Sequence, residues 1–312
     1  MACIPESHYI GRFAPSPSGP LHFGSLVAAL GSYLDAKAGN GLWLMRMEDI
    51  DPPREKPGAA DDILKTLEAF GFEWDGEVLY QSQRQAAYLE AISSLLDNDQ
   101  AFECVCTRKE VAEAGLSGVE GPRYPGTCRR GVSLEREHRA IRLHTDHPTP
   151  IEFRDRICGQ VRQVVEDEIG DFIVRRVDGL FAYQLAVVVD DAYQGVNQVV
   201  RGADLLISTP RQILLQHFLD LPTPAYAHLP LVLDEDGRKL SKQYQALPVR
   251  SDNPLPALLE AYLFLGQHPF AEPPATLAEF WAHAVANWDP DLVPCNHRST
   301  PTLHDGQFSG QA

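Results

Sequence analysis

The sequence predicts an α/β fold, an open sheet with helices, in which a smaller subdomain is inserted between two halves of the main domain. Residues 10–34 are typical of a strand, a rigid loop and a helix, and residues 42–47 form a short apolar run that ends in an acidic cluster. Residues 102–178 interrupt this pattern with cysteines, glycines, prolines and arginines. With 312 residues, 44% of them hydrophobic, the chain can bury a sizeable core.

The first strand and helix flank a loop that is rich in proline and glycine. Ile10 and Phe13 suit a short buried strand, residues 15–20 are excluded from regular structure, and Ser25 can cap a helix over 26–38. A strand, loop and helix in this order direct backbone N–H groups and the positive end of the helix towards one point, where an anion binds well.

Two charged segments strengthen the case for an anion site. Arg12 and His22 add a fixed positive charge and a ring donor to the first loop, although this loop alone could equally be a plain turn. Lys239-Leu240-Ser241-Lys242 follows a turn far along the chain, and alone it could be a solvated basic turn. Glu48, at the end of the second strand, belongs to the edge of the sheet where α/β folds bind ligands.

The remaining elements follow from hydrophobic periodicity and turn residues. They comprise a strand at 42–47, helices at 59–70 and 83–97, a return to the main sheet at 181–189, a strand end at 198–202, a helix at 210–219, a last strand at 229–233, and helices at 255–265 and 277–285. We therefore expect a main domain of residues 1–101 and 179–245, an insertion of 102–178, a short helical region of 246–295 and a disordered polar tail of 296–312.

Composition narrows the cellular setting and the partners. A net charge of −16 weighs against nucleic-acid binding unless a local basic face exists. Candidates for that face are Arg123, Arg129, Arg130, Arg136, Arg139, Arg175 and Arg176, which could equally belong to a mixed-charge surface. No run is long and apolar enough to span a bilayer, and residues 1–8 lack the pattern of a signal peptide. We therefore expect a cytoplasmic protein with reduced cysteines and no membrane partner.

Three cysteines in the insertion have the spacing of a metal site. Cys104-x-Cys106 and Tyr124-x-x-x-Cys128 can converge on one structural zinc ion, whose fourth ligand could be Tyr124, His138 or water. Reduced, partly buried cysteines without metal are the alternative. The other cysteines, at positions 3, 158 and 295, have no partner nearby in sequence and are expected to be inert.

In combination these motifs resemble a known enzyme family. Residues 12–19, His22-x-Gly24 and the late lysine segment are similar to the two signatures of class I aminoacyl-tRNA synthetases, in the version of the glutamyl and glutaminyl group. The cysteine motif, residues 48–54 and residues 80–84 resemble the glutamyl-Q tRNA(Asp) synthetases, and the similarity runs from about Gly11 to Gln243. The resemblance implies a Rossmann-type catalytic domain that converts glutamate and ATP, with Mg²⁺, into glutamyl-adenylate. Glutamate would then pass to the queuosine base in the anticodon of tRNA(Asp).

The resemblance also implies roles for individual residues. His22 and Lys242 are the expected catalytic residues, and ATP is expected to contact His22, Gly24, Lys239, Ser241 and Lys242. Glutamate is expected to contact Arg12, Phe13, Ala14, Pro15, Ser16, Glu48, Tyr183 and Arg201. Arg12 suits a carboxylate and Glu48 an ammonium group, although Glu48 could equally orient Arg12. In this family a tyrosine completes the zinc site, which implies Tyr124 as the fourth ligand.

The sequence departs from the family pattern at two positions and leaves alternatives open. Ser25 stands where the common signature has a second histidine, and Gln243 replaces the serine that usually ends the lysine motif. The sequence has no room for the large anticodon-binding region of full glutamyl-tRNA synthetases, so we expect tRNA to be recognised differently. A truncated synthetase that charges an acceptor end, or a non-catalytic tRNA-binding relic, are the competing hypotheses. We expect a monomer.

Overall fold

The computed structural model describes residues 8–132, 139–146, 150–232 and 248–295. The helices in these ranges are α1 (Phe23–Ala38), α2 (Ala59–Ala69), α3 (Gln85–Asp97), α4 (Arg108–Glu113), α5 (Val165–Glu168), α6 (Tyr183–Tyr193), α7 (Thr209–Phe218), α8 (Pro254–Phe264) and α9 (Leu277–Ala286). The strands are β1 (Ile10–Phe13), β2 (Leu42–Met47), β3 (Leu79–Tyr80), β4 (Ala101–Cys104), β5 (Ser117–Gly118), β6 (Gly121–Pro122), β7 (Ala140–Leu143), β8 (Ile151–Asp155), β9 (Gly159–Gln163), β10 (Ile173–Arg175), β11 (Gln198–Gly202) and β12 (Ala225–Leu229).

Parallel strands from two distant parts of the chain form the framework of the site. β2 pairs in parallel with β1 and β3, and β11 pairs in parallel with β12. The Asn197 backbone N–H donates to the Ile10 carbonyl at 3.0 Å and the Asn197 side chain accepts from the Ile10 N–H at 2.9 Å, which places β11 beside β1. The segments that follow these strands therefore come together at one edge.

Helix α1 is the centre of the main core. Leu26, Leu30 and Leu34 are fully buried, and α1 lies against β1, β2, β11, α8 and α9. Burial of each leucine contributes about 1.5–3 kcal/mol relative to exposure. The helix starts three residues earlier than predicted, because the His22 ring rather than Ser25 is its N-cap and accepts a hydrogen bond from the Ser25 N–H.

One predicted element is wrong. Residues 181–189 were expected to return to the sheet, but residues 183–193 form helix α6, which packs against α3 and α7. A short run rich in valine does not distinguish a buried strand from a buried helix, and here residues of several helix faces are buried. The last strand is displaced as well: β12 spans Ala225–Leu229 instead of 229–233, and residue 233 lies outside the described ranges.

Antiparallel pairing characterises the middle of the chain. β7 pairs with β4 and β10, and β8 forms a hairpin with β9.

The other predicted strands and helices are confirmed to within a few residues, at 10–13, 42–47, 59–69, 85–97, 198–202, 209–218, 254–264 and 277–286. The division of the chain into domains at 102 and 178 stays a prediction, and the predicted tail of 296–312 lies outside the described residues.

Candidate active site

A cavity of about 750 Å³ opens where the parallel strands end. Its wall includes residues that follow β1 and β2, the end of β11 and the segment after β12. Ten of the sequence-predicted residues line it: Arg12, Phe13, Ala14, Pro15, Ser16, His22, Gly24, Glu48, Tyr183 and Arg201. The structure thus brings together positions up to 189 residues apart, although the contact that each makes with a ligand stays a prediction.

Backbone hydrogen bonds hold the loop after β1 in the cavity wall. The Pro15 carbonyl accepts from the Glu48 N–H at 3.0 Å, and the Pro17 carbonyl accepts from the Lys56 N–H at 3.0 Å. Gly19 has a φ of 143°, a conformation that favours glycine. The loop between strand and helix is therefore fixed beside Glu48.

The first turn of α1 forms a second part of the wall. The His22 Nδ1 atom accepts from the Ser25 N–H at 3.2 Å, and the Ser25 hydroxyl lies 3.2 Å from Nε2. Ser25, at the position that departs from the family signature, thus holds the His22 ring. The ring faces the positive end of a helix, an arrangement suited to a polyanion.

The predicted lysines lie in a part of the chain that is outside the described residues. Lys239, Ser241 and Lys242 fall between residues 233 and 247. On one side of this gap Val232 lines the cavity. On the other side Pro248 forms a bridge with His22, and the Val249 N–H donates to the Leu21 carbonyl at 3.0 Å. Both flanks of the lysine segment are therefore at the candidate site.

A buried ion-pair network supports the floor of the cavity. Asp191 accepts from Arg12 Nε at 3.1 Å and lies 2.8 Å from Arg46 Nη1, while Arg46 Nη2 is 3.6 Å from the Glu48 carboxylate. Arg46 is fully buried and Arg12 is 3% exposed. Burial alone would raise the pKa of the Asp191 carboxyl. The positive charges of Arg12 and Arg46 outweigh this effect of burial and hold the pKa below its usual value. For Glu48, burial dominates and raises the pKa of the carboxyl despite the opposing charges of Arg46, Arg12 and Arg201.

Arg201 has a different environment. Its guanidinium is buried and donates to Tyr183, His228, Thr209 and Gln212, with donor–acceptor distances of 2.8–3.4 Å. Every one of these acceptors is an uncharged atom, and no ion pair among the described residues includes Arg201. A buried cation without a direct counter-ion favours an anionic ligand.

Residues 80–84, which carry part of the family resemblance, hold α6 in place. Gln81 Nε2 and Arg84 Nε donate to Asp190 at 2.9 and 3.1 Å. The Ser82 N–H and hydroxyl donate to Asp49 at 2.8 and 2.6 Å. Since Asp190 adjoins Asp191, this motif fixes the helix that supports Arg12.

Sequence reasoning missed Asp191 and Arg46. Both stand in apolar runs where a charge is unusual: Arg46 within Leu42–Met47, and Asp191 after the valines of α6. A charged residue in a buried element needs a partner, and this signal could have predicted that the two residues meet.

The three predicted cysteines also converge. The sulfurs of Cys104, Cys106 and Cys128 lie within 4.8 Å of one another, and Cys106 Sγ is 3.6 Å from Cys128 Sγ. The Tyr124 hydroxyl is 3.4 Å from Cys104 Sγ and 3.6 Å from Cys106 Sγ. It accepts from the Cys128 N–H at 2.8 Å. The structure thus gathers one oxygen and three sulfurs at a single point.

Positive charge adjoins this cluster. Arg142 Nε donates to Cys104 Sγ at 3.2 Å, and its guanidinium lies 4.1 Å from the centre of the Tyr124 ring. Burial raises the pKa of the Cys106 thiol to about 11, whereas the pKa of Cys128 is lowered because hydrogen bonds, first that of Tyr124, outweigh the opposing effect of burial. A neighbouring cation and a cluster of thiols are compatible with thiolate ligands.

Most of the arginines proposed for a basic face have acidic partners. Arg129 forms a bidentate pair with Asp171 at 2.7 and 2.8 Å, and Arg139 pairs with Glu103. Arg123 and Arg176 also have acidic neighbours, and residue 136 lies outside the described ranges. This part of the surface is therefore of mixed charge.

Among the described residues, the helices are either too short or too polar to traverse a lipid bilayer.

A family model and two relatives match this chain over most of its length. The model of the family "tRNA synthetases class I (E and Q), catalytic domain" matches residues 10–265. The chain is similar to the glutamyl-Q tRNA(Asp) synthetase of Dechloromonas aromatica, with 56% identity over 292 residues that cover 93% of this chain and 97% of that relative. A relative of the same name from Aromatoleum aromaticum is 53% identical over 308 residues, covering 97% of this chain and 95% of its own length.

Solved structures support the fold. The glutamate-tRNA synthetase of Elizabethkingia anophelis matches with a TM-score of 0.76 at 24% identity, covering 92% of this chain and 67% of that one. A glutamate tRNA ligase of Elizabethkingia meningosepticum matches with a TM-score of 0.75 at 24% identity, covering 93% and 66%. The chain thus has the class I synthetase α/β fold and spans about two thirds of these structures.

Proposed function

The chain belongs to the glutamyl-Q tRNA(Asp) synthetases, within the class I tRNA synthetases for E and Q, and on this premise we propose that it activates glutamate with ATP and transfers it to queuosine in the anticodon of tRNA(Asp). The enzyme is a ligase of the aminoacyl-tRNA synthetase type. The observation that carries the proposal is the single cavity that Arg12, His22, Glu48, Tyr183 and Arg201 line together.

The charges of the cavity match those of glutamate. Arg201 offers a guanidinium that lacks a direct anionic partner among the described residues, and Arg12 offers donors beyond the one bound by Asp191. Glu48 supplies a negative charge for the ammonium group, with Arg46 close behind it at 3.6 Å. Tyr183, Phe13, Ala14, Pro15 and Ser16 shape the remaining wall. Two cations and one anion thus face a substrate with two carboxylates and one ammonium group.

The proposed first step is a displacement at phosphorus. An oxygen of the glutamate α-carboxylate attacks the α-phosphorus of ATP, the bond to the bridging oxygen breaks, and pyrophosphate leaves. We assign His22 and the N-terminal turn at Gly24 to the ATP phosphates, because both line the cavity at the positive end of α1. We assign Lys239, Ser241 and Lys242 to the same phosphates, because Val232 on one flank of their segment lines the cavity and Pro248 on the other pairs with His22. Mg²⁺ accompanies ATP and supplies further charge neutralisation.

In the second step a ring hydroxyl of queuosine attacks the glutamyl carbonyl. The new ester forms as the carbonyl–phosphate bond breaks, AMP leaves with the electron pair, and the hydroxyl proton passes to solvent. The protein's task in both steps is to position reactants and stabilise charge, since neither step needs a protein nucleophile.

Three distances in the cysteine cluster are compatible with a zinc site. Zinc–sulfur bonds of about 2.3 Å in a tetrahedron separate two sulfurs by about 3.8 Å, and a phenolate ligand at about 2.0 Å lies about 3.5 Å from each sulfur. The Cys106–Cys128 distance of 3.6 Å and the Tyr124–sulfur distances of 3.4 and 3.6 Å are close to these values. We propose that Cys104, Cys106, Cys128 and Tyr124 hold one structural zinc ion, which would tie the segment after β4 to residues 124–128.

Two further properties complete the proposal. We propose that the enzyme acts in the cytoplasm, where its tRNA substrate is found and thiols stay reduced, and that it acts as a monomer. Gel filtration with light scattering measures the oligomeric state, and the mass of a dimer would contradict a monomer.

The decisive experiment follows transfer of radiolabelled glutamate. The enzyme is incubated with ATP, Mg²⁺ and tRNA(Asp) with or without queuosine, and acid-precipitable label is measured. We expect label only on queuosine-containing tRNA. Equal labelling of both tRNAs would indicate charging of the acceptor end, and labelling of neither by active protein would contradict ligase function.

Pyrophosphate exchange tests the first step separately. We expect glutamate alone to support exchange of labelled pyrophosphate into ATP without tRNA. Lys242→Ala should reduce this exchange by about 100-fold, the range observed when a group that stabilises transition-state charge is lost. Lys109→Ala, a change at an exposed lysine of α4, is the matched control and should retain full exchange.

A further inference from the structure

A buried carboxylate and a buried imidazole form a chain of hydrogen bonds with Arg201. The Asp155 Oδ2 atom lies 2.6 Å from His228 Nδ1, and His228 Nε2 lies 3.1 Å from Arg201 Nε. Both the Asp155 and the His228 side chains are fully buried. Three residues from three separate parts of the chain thus form one hydrogen-bonded line that ends at the cavity.

The direction of the hydrogen bonds follows from the donors. Arg201 Nε can only donate, so His228 Nε2 must be the acceptor and carries no proton. The proton of the neutral ring is then on Nδ1, from which it is donated to Asp155. The line requires one tautomer of His228, and Asp155 selects it.

Asp155 is itself held rigidly. Its Oδ1 atom accepts from the backbone N–H groups of Ile157, Cys158 and His228 at 2.8–3.2 Å. The carboxylate is therefore satisfied on both oxygens, and its charge lies one imidazole away from the guanidinium. This arrangement orients Arg201 and partly balances its charge. It leaves the guanidinium without the direct ion pair that would compete with a substrate carboxylate.

The carboxylate comes from the β8–β9 hairpin. This hairpin contacts β12 through the Arg156 N–H, which donates to the Tyr226 carbonyl at 2.9 Å. It contacts α1 through a bidentate pair of Arg156 with Asp35 at 2.7 and 2.9 Å. The middle of the chain therefore contributes a residue to the support of the amino-acid pocket.

We propose that Asp155 and His228 are positioning residues that hold the Arg201 guanidinium in the orientation that binds a substrate carboxylate. The inference rests on the proposed function, because it takes Arg201 to be a glutamate-binding residue. Neither residue touches the substrate. Both act through Arg201, which lines the cavity and donates to Tyr183 there.

Variants separate positioning from folding. Asp155→Asn preserves shape but removes the charge, and His228→Phe removes the acceptor, while His228→Gln keeps an amide oxygen that can accept from Arg201. In glutamate-dependent pyrophosphate exchange we expect the KM for glutamate to rise at least tenfold in Asp155→Asn and His228→Phe, with the KM for ATP within twofold of wild type. His228→Gln should recover a substantial part of the glutamate affinity.

Arg156→Met is the matched control. It removes an ion pair that anchors the same hairpin but does not contact His228 or Arg201. We expect its KM for glutamate to stay within twofold of wild type. An equal rise of this KM in Arg156→Met and Asp155→Asn would overturn the proposal, because both would then report only loosening of the hairpin.

The tautomer provides a test that needs no variant. In ¹⁵N-histidine-labelled wild-type protein, NMR should show His228 protonated at Nδ1 and unprotonated at Nε2. Protonation at Nε2 would overturn the proposal, whatever the kinetics. Absence of glutamate-dependent exchange in the wild type, with the expected tautomer present, would contradict the proposed function and not the buried line itself.

Discussion

Arg12 lies 3.1 Å from Asp191, a residue 179 positions further along the chain, and both side chains are buried. The same carboxylate lies 2.8 Å from Arg46. One acidic residue of α6 thus supports Arg12, which begins the proposed glutamate pocket, and Arg46, which lies behind Glu48. This relationship links the stability of the core to the geometry of the site.

Replacement of Asp191 by Asn is expected to lower the stability of the fold and to weaken the binding of glutamate. It would leave Arg46 without its closest anion, a change that costs about 3–5 kcal/mol when a buried pair is broken. Thermal denaturation should show a large fall in Tm, and the KM for glutamate should rise at permissive temperature. Asp252→Asn breaks an exposed pair with Arg250 and should leave both measurements unchanged. An unaltered Tm for Asp191→Asn would show that this network is not required.

Glu48→Gln tests the assignment of the ammonium site. The substitution retains the shape but removes the charge that we assign to the glutamate ammonium group, so the KM for glutamate should rise more than tenfold, equivalent to at least about 1.4 kcal/mol. The KM for ATP, measured in the same exchange reaction, is the internal control and should change little. Equal changes in both constants would instead indicate that Glu48 supports the cavity as a whole.

The metal content of the purified protein tests the cysteine cluster. Elemental analysis should find about one zinc per chain. Cys104→Ser should lower this content and the Tm together, since the metal would cross-link two segments of the fold. Cys295→Ser, at an exposed cysteine distant in sequence from the cluster, should retain the full content. Unchanged zinc in Cys104→Ser would refute the ligand assignment.

The buried histidine predicts a pH-dependent stability. Burial, aided by the charge of Arg201, lowers the pKa of His228 from 6.5 to about 4, although Asp155 opposes the shift. Between these values the unfolded chain binds a proton that the folded chain does not, so the fold should lose roughly 3 kcal/mol as the pH falls from 6.5 to 4. Chemical denaturation across this range measures the effect.

His228→Gln provides the comparison for that measurement. Since glutamine does not titrate, the difference in unfolding free energy between wild type and variant should shrink as the pH falls. A difference that is constant from pH 7 to pH 4 would show that His228 binds a proton as readily in the folded protein as in the unfolded chain, contrary to the lowered pKa of the buried ring.

The active-site loop was predictable because its chemistry is local. Prolines and glycines restrict residues 15–20 wherever they occur, and a loop between a strand and a helix directs donors in one direction. The cysteine cluster was predictable for the same reason, since its three cysteines are at most 24 positions apart in the sequence. The run at 181–189 was mispredicted because its burial on several sides, which decides between helix and strand, depends on α3 and α7.

The sequence by itself determined the class of fold, the residues that we propose for the glutamate and phosphate sites and the candidate metal ligands, because short motifs with restricted backbones carry these features. Only the tertiary structure decided that Asp191 joins Arg12 to Arg46, and that Asp155 reaches Arg201 through His228. Such pairings join residues from distant parts of the chain. Each becomes favourable only when folding removes the charged groups from water, and no local sequence pattern encodes which partner will then be nearby.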